Sequence, residues 1–244
     1  MKKLYNIQFV LTLALLMIVS CAVENPIPTP DNSSTPPSDI YPDSDVIIST
    51  HTAFTRLHYP QRIEEFREDP LEDNDIVLLG NSITEQGGEW ALRLNNSKAR
   101  NRGIAGDTTE GVLARLGEII YFKPKQVFIL IGINDLFLNS ITPDYVFNNI
   151  VEIVNQIHEG SPDTIIYLQT ILPTNNEYLI EKIQITNQML IDAEASNPYE
   201  IISLHKLFTT EHNLINMEFS TDGVHLNENG YSVWVNNIIN LVNN

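Results

Sequence analysis

Five residues far apart along the chain, Ser82, Gly106, Asn134, Asp222 and His225, are of the types that acyl transfer requires. A serine hydroxyl is a weak nucleophile until a base takes its proton. Histidine is the side chain suited to that task near neutral pH, and a carboxylate can fix its tautomer and support the imidazolium. Asp222 and His225 are three residues apart, so one turn of chain can present both on the same side. The oxygen of a tetrahedral intermediate needs preset donors, which the Ser82 and Gly106 amides and the Asn134 side chain could supply. Taken alone, Gly80-Asn81-Ser82 is an ordinary turn signal, and the case rests on the whole set.

These residues must be brought together by strands. Ile76-Val77-Leu78-Leu79 is a continuous apolar run that ends in Gly80-Asn81-Ser82, the pattern of a strand buried on both faces with the serine at its mouth. Gln126 to Gly132 repeats the pattern and delivers Ile133-Asn134-Asp135. Arg100 to Gly106 reads as a short strand and turn. Asp107 is expected to cap the next helix, with Glu110 closing a capping box, which puts the amides near Gly106 at a helix N-terminus. Thr164–Thr170 and Glu200–Leu204 supply two more strands.

Helices alternate with these strands. The first, over Ser49–Asp69, carries Phe54, Leu57, Tyr59, Ile63 and Phe66 and is expected to break or restart near Pro60. Others begin at Thr142-Pro143 and span Tyr178–Glu194. Asn227 caps the last, whose inner face is Tyr231, Trp234, Val235, Ile238 and Leu241. The alternation predicts an α/β fold with a central parallel sheet covered on both faces, its reactive groups beyond the strands' carboxyl ends.

Length and charge set the outer bounds. The chain has 244 residues and a net charge of −17, which repels phosphate backbones and argues against nucleic acid as a partner. Lys2 and Lys3 precede an apolar run, Phe9 to Val19, too short for a permanent span, so residues 1–20 read as a signal peptide. Ile18-Val19-Ser20-Cys21 resembles a lipobox, making the sole cysteine, Cys21, the expected lipid attachment point and membrane anchor. Residues 21–45, rich in Pro, Ser and Thr, read as a disordered tether, and 46–244 as one domain. The expected location is the bacterial cell envelope. Ala22 gives no retention-type aspartate after the cysteine and leans toward the outer membrane.

In order, Gly80-Asn81-Ser82-Ile83-Thr84, Gly103-Ile104-Ala105-Gly106-Asp107-Thr108, Gly132-Ile133-Asn134-Asp135 and Asp222-Gly223-Val224-His225 resemble the four blocks of the SGNH (GDSL-like) esterase and acylhydrolase family. The likeness spans about residues 75–244. It implies a flavodoxin-like three-layer α/β/α domain with no metal or organic cofactor. It also implies Ser82 as nucleophile, His225 as base, Asp222 as orienting acid, and Gly106 and Asn134 as oxyanion donors with the Ser82 amide. The chain departs at Asn81, where the family name has aspartate, a position at which proton relay requires no charge. Gly-x-Ser-x-Gly and His-Glu-x-x-His are absent. The other histidines, His51, His58, His158, His205 and His212, show no partner pattern. Asp135 and Trp90 read as structural, though either could touch substrate.

Each interval between blocks is used up by one helix or strand, leaving no long apolar insertion to cover a fatty chain. Members of similar outline include carbohydrate O-acetylesterases and PAF-acetylhydrolase-like esterases. The resemblance therefore implies a serine esterase removing short O-acyl groups, O-acetyl foremost, from a glycan or small molecule. The alternatives are a lysophospholipase or thioesterase, or a non-catalytic glycan-binding lipoprotein.

Overall fold

The computed structural model describes residues 36–243, so the leader and Cys21 lie outside the described residues. The chain runs α1 (Ala53–Glu68), β1 (Ile76–Gly80), α2 (Ser82–Glu85), α3 (Trp90–Arg93), β2 (Ala99–Gly103), α4 (Thr109–Leu113) and α5 (Gly117–Phe122). It continues with β3 (Gln126–Leu130), α6 (Ile133–Phe137), α7 (Pro143–Gly160), β4 (Ile165–Gln169), α8 (Ile180–Ala193), β5 (Glu200–Ile202), α9 (His205–Phe208) and α10 (Glu228–Val242). All five strands pair in parallel in the order β2-β1-β3-β4-β5, with helices in the layers on either side. The expected three-layer fold is the one observed.

The register places the site. Gly80 at the end of β1 is level with Gly103 of β2 and Leu130 of β3. The three loops that follow these strands therefore leave the sheet side by side, at the point where strand order reverses and α/β sheets gather their ligands. Val77, Leu78, Leu79, Val127, Phe128 and Ile129 are fully buried. Each contributes about 1.5–3 kcal/mol of burial, which anchors the base of those loops. Trp90 is core, 1% exposed, with its ring edge-on to Trp234 of α10 and its indole N–H donating to the Thr84 carbonyl at 2.9 Å.

Three expectations are corrected. Helix α1 runs unbroken through Pro60, and the only backbone bond proline denies it is one to Arg56, an exposed residue where water can substitute. Its inner face is Thr55, Tyr59, Ile63 and Phe66, whereas Phe54 and Leu57 are 62% and 72% exposed. The Pro-rich tether does not extend to residue 45. Tyr41 is buried in a small second core with Tyr59, Ile63, Phe66 and Ile104, and its hydroxyl donates to Phe66 O at 3.2 Å and to Glu118 at 3.1 Å. Among the described residues, no helix is long and apolar enough to cross a membrane.

Candidate active site

Ser82 opens α2 directly beyond β1. Asn81 caps that helix, its side-chain oxygen accepting the Ile83 N–H at 3.0 Å. Asn and Asp are equivalent helix caps, so asparagine can hold the serine as aspartate would. Gly80 has no side chain because α2 folds back over it. A Cβ there would lie 2.4 Å from the Leu130 carbonyl and 2.3 Å from Thr84 Oγ1. Tyr231 of α10 donates to the Ile83 carbonyl at 2.8 Å and pins the short helix from above the core.

His225 and Asp222 reach the serine from the loop before α10. The Ser82 Oγ to His225 Nε2 distance is 2.9 Å, and His225 Nδ1 lies 2.7 Å from Asp222 Oδ2. The other carboxylate oxygen accepts the Val224 and His225 amides at 2.9 and 2.8 Å. Ser220 braces the loop by donating to the His225 carbonyl at 2.8 Å while accepting the Gly223 amide at 2.9 Å. Slight burial works to raise the Asp222 carboxyl. The bonds from the His225 ring and from the two amides, with the imidazole's charge, outweigh it and bring the carboxyl down to about 2. The group thus stays anionic over the working range, as a partner for an imidazolium must.

Gly106 and Asn134 complete the set. Gly106 adopts φ +80°, and a Cβ would sit 2.2 Å from Thr55 Oγ1, so only glycine turns here beneath α1. Its N–H finds no protein acceptor among the described residues. Nor does that of Ser82, the first residue of its helix. Asn134 spends one amide hydrogen on the Asp107 carbonyl at 2.8 Å, leaving the second free. Ser82, Gly106, Asn134 and His225 line one cavity of about 430 Å³.

The helix cap after Gly106 differs from expectation. Thr108, not Asp107, caps α4 through the Gly111 amide. The Asp107 carboxylate is taken instead by Arg115, at 3.0 and 2.9 Å, and by His51 at 3.0 Å, all buried. Glu110 does not close a capping box either; it turns outward to Ser49, Thr50 and Tyr145. Asp135 is fully buried and accepts the Thr109 amide and hydroxyl, the hydroxyl at 2.6 Å, the structural role expected of it. Burial pushes its carboxyl up to about 7 against those bonds.

Sequence reasoning missed one wall. Thr50, Thr52, Phe54 and Thr55 line the cavity around Ser82 together with Phe137 and Leu138. They belong to no motif, and only the exposure of Phe54 at 62% and Phe137 at 41% marks them.

A model of the GDSL-like lipase/acylhydrolase family matches residues 78–233. The chain is 27% identical to the Bos taurus platelet-activating factor acetylhydrolase IB subunit alpha1, over 66% of this chain and 72% of that protein. It is 25% identical to an N-acylneuraminate cytidylyltransferase of Escherichia coli O18:K1:H7, over 74% of this chain. That match spans only 43% of the cytidylyltransferase. A solved structure from Streptococcus pneumonia, named for platelet activating factor, superposes with a TM-score of 0.68 at 26% identity, covering 78% of this chain and 94% of that one.

Proposed function

The chain belongs to the GDSL-like lipase/acylhydrolase family, and from that premise we propose that it is a serine esterase that removes short acyl groups, acetyl foremost, from a carbohydrate. The observation that carries this reading is the chain of contacts from Ser82 Oγ to His225 at 2.9 Å and on to Asp222 at 2.7 Å, opening on a cavity that also holds Gly106 and Asn134.

In this reading His225 Nε2 takes the Ser82 proton as Oγ attacks the ester carbonyl carbon. The carbonyl oxygen becomes an oxyanion and receives hydrogen bonds from the Ser82 and Gly106 amides and the free Asn134 hydrogen. The imidazolium, stabilised by Asp222, returns the proton to the departing sugar oxygen, the ester C–O bond breaks, and an acyl-serine remains. Water then attacks that acyl group with His225 again as base, releasing the carboxylic acid and restoring the serine.

The short acyl group is supported by the acetylhydrolase relative. A second reading, an acylhydrolase for longer chains, draws on the exposed apolar residues Phe54, Leu57 and Phe137. p-Nitrophenyl acetate and octanoate separate the two. Faster turnover of acetate supports the acetylesterase, and faster turnover of octanoate overturns it. We also propose that Cys21 carries a lipid that holds the enzyme in the cell envelope. Radiolabelled palmitate should enter the wild-type chain in a bacterial host and not Cys21→Ser, and equal labelling of both would remove this assignment.

A further inference from the structure

A second cavity, of about 470 Å³, lies beside the one at Ser82 as a side arm and shares Thr50, Thr52 and Leu138 with it. Its walls carry hydroxyls from Ser49, Thr50, Ser140 and Tyr145 around the carboxylate of Glu110, with the aliphatic faces of Leu138 and Ile141 beside them. Ser49, Thr50 and Tyr145 give their protons to Glu110 and so offer lone pairs that accept from a ring of hydroxyls, Ser140 can donate or accept, and the small apolar face packs against C–H bonds.

We propose that this arm receives the alcohol half of the substrate and selects an uncharged sugar over a uronate or sialate, an inference that rests on the carbohydrate esterase reading above. The selection is electrostatic. Among the described residues, no lysine or arginine lines either cavity. His51 is in the arm's wall, but it is buried and its Nε2 faces Asp107. Lys182 touches the nearby loop only from its own partners, donating to the carbonyls of Leu136, Leu138 and Ile141, and lines neither cavity. The fixed charge in the arm is Glu110. One of its oxygens accepts from Ser49 Oγ at 2.7 Å, Thr50 N at 3.2 Å and Thr50 Oγ1 at 3.0 Å, and the other accepts from Tyr145. Burial would raise this carboxyl, but those bonds outweigh it and hold it below the usual glutamate range. A carboxylate on the sugar would therefore meet a permanent negative charge with no cation to offset it, in a chain of net charge −17.

The test is kcat/KM of the full chain on an acetylated xylooligosaccharide, on O-acetylated sialic acid and on acetylated oligogalacturonate. Salt is varied from about 0.01 M to about 1 M, over which the Debye length falls from about 30 Å to about 3 Å. The neutral ester should be preferred by about tenfold at low salt, with the gap shrinking as salt rises. Glu110→Gln should narrow the low-salt gap, and Tyr145→Phe should raise KM for the neutral ester more than it lowers kcat. Where either variant fails to fold, Ser140→Lys, which adds a cation at an exposed position of the arm, should narrow the gap instead, and an unchanged gap would overturn the arm's role. Equal rates on neutral and anionic sugars, or a gap indifferent to salt, would overturn the selection while leaving the esterase reading intact. A preference for an acetylated glycerophosphocholine over every sugar would overturn both the arm's assignment and the carbohydrate reading.

Discussion

Asn134 Nδ2 donates to the backbone carbonyl of Asp107 at 2.8 Å, joining the first turn of α6 to the loop after β2. One amide hydrogen fixes the side chain, and in the proposed mechanism the other serves the oxygen of the reacting carbonyl. Asn134→Ala should therefore lower kcat by about 10² to 10³, the usual cost of one lost oxyanion donor, with KM little changed. Steady-state kinetics on p-nitrophenyl acetate give the split. A rise in KM at constant kcat would mean that Asn134 binds ground-state substrate instead.

Asp107 itself is held by Arg115, which also donates to the carbonyls of Gly80 and Arg102 at 3.0 Å each. One buried guanidinium thus ties the β1 exit to the loop that carries Gly106. Arg115→Ala leaves the buried Asp107 carboxylate only His51 and the Thr108 amide and should destabilise the domain by about 3–5 kcal/mol, with a loss of kcat as the loops bearing the proposed oxyanion donors loosen. Urea unfolding measures the first effect and esterase kinetics the second.

Asp222 is half-exposed, and against the upward pull of slight burial the His225 ring and two amides bring its carboxyl down to about 2. A carboxylate depressed on folding stabilises the native state above the unfolded value, near about 3.9, and that contribution is lost as pH falls toward about 2. Asp222→Asn should remove this acid-side slope. It should also lower kcat by about 10³ to 10⁴, because an amide can hold the imidazole in the wrong tautomer. A variant retaining more than about a tenth of wild-type kcat would assign Asp222 to the loop and not to the chemistry.

Asp135 has the opposite sign. Burial raises its carboxyl to about 7, so between about pH 4 and pH 7 the native state holds a proton that the unfolded chain has released. Stability should fall as pH rises through that window and level off above it. The change is a few kcal/mol, since each tenfold difference in proton affinity between the folded and unfolded chain is worth about 1.4 kcal/mol. Asp135→Asn, which keeps an acceptor for Thr109, should flatten the difference. Melting curves of both proteins across the window measure it, and parallel pH profiles would refute the assignment.

What the sequence made legible was local and strongly patterned. The runs Ile76–Leu79 and Gln126–Ile131 announce buried strands because burial on both faces leaves no polar position, and Asn227 and Thr142 cap the helices expected of them. Asp222 and His225 were legible as a pair because three residues of chain close their contact. The misplaced cap at Asp107 shows the limit. Its carboxylate is claimed by Arg115 and by His51, a long-range partner that no local spacing reveals, and the neighbouring Thr108 takes the helix instead. Tyr41 was hidden in a Pro-rich stretch because its burial depends on Phe66 and Glu118, both distant in the chain. Thr50, Thr52 and Phe54 carry no motif, and they reach the Ser82 cavity because α1 packs against Gly106 through Thr55.

The central claim is that Ser82 forms a covalent acyl intermediate with His225 as its base. The most direct measurement is intact-mass and peptide analysis after reaction with a fluorophosphonate, which mimics the tetrahedral intermediate and stays on the nucleophile. A single adduct on Ser82 is expected, absent from Ser82→Ala and formed much more slowly by His225→Ala. Ser82→Ala should also lose about 10⁵ to 10⁶ in kcat. An adduct on another residue, or ester hydrolysis unchanged by Ser82→Ala, would contradict the account.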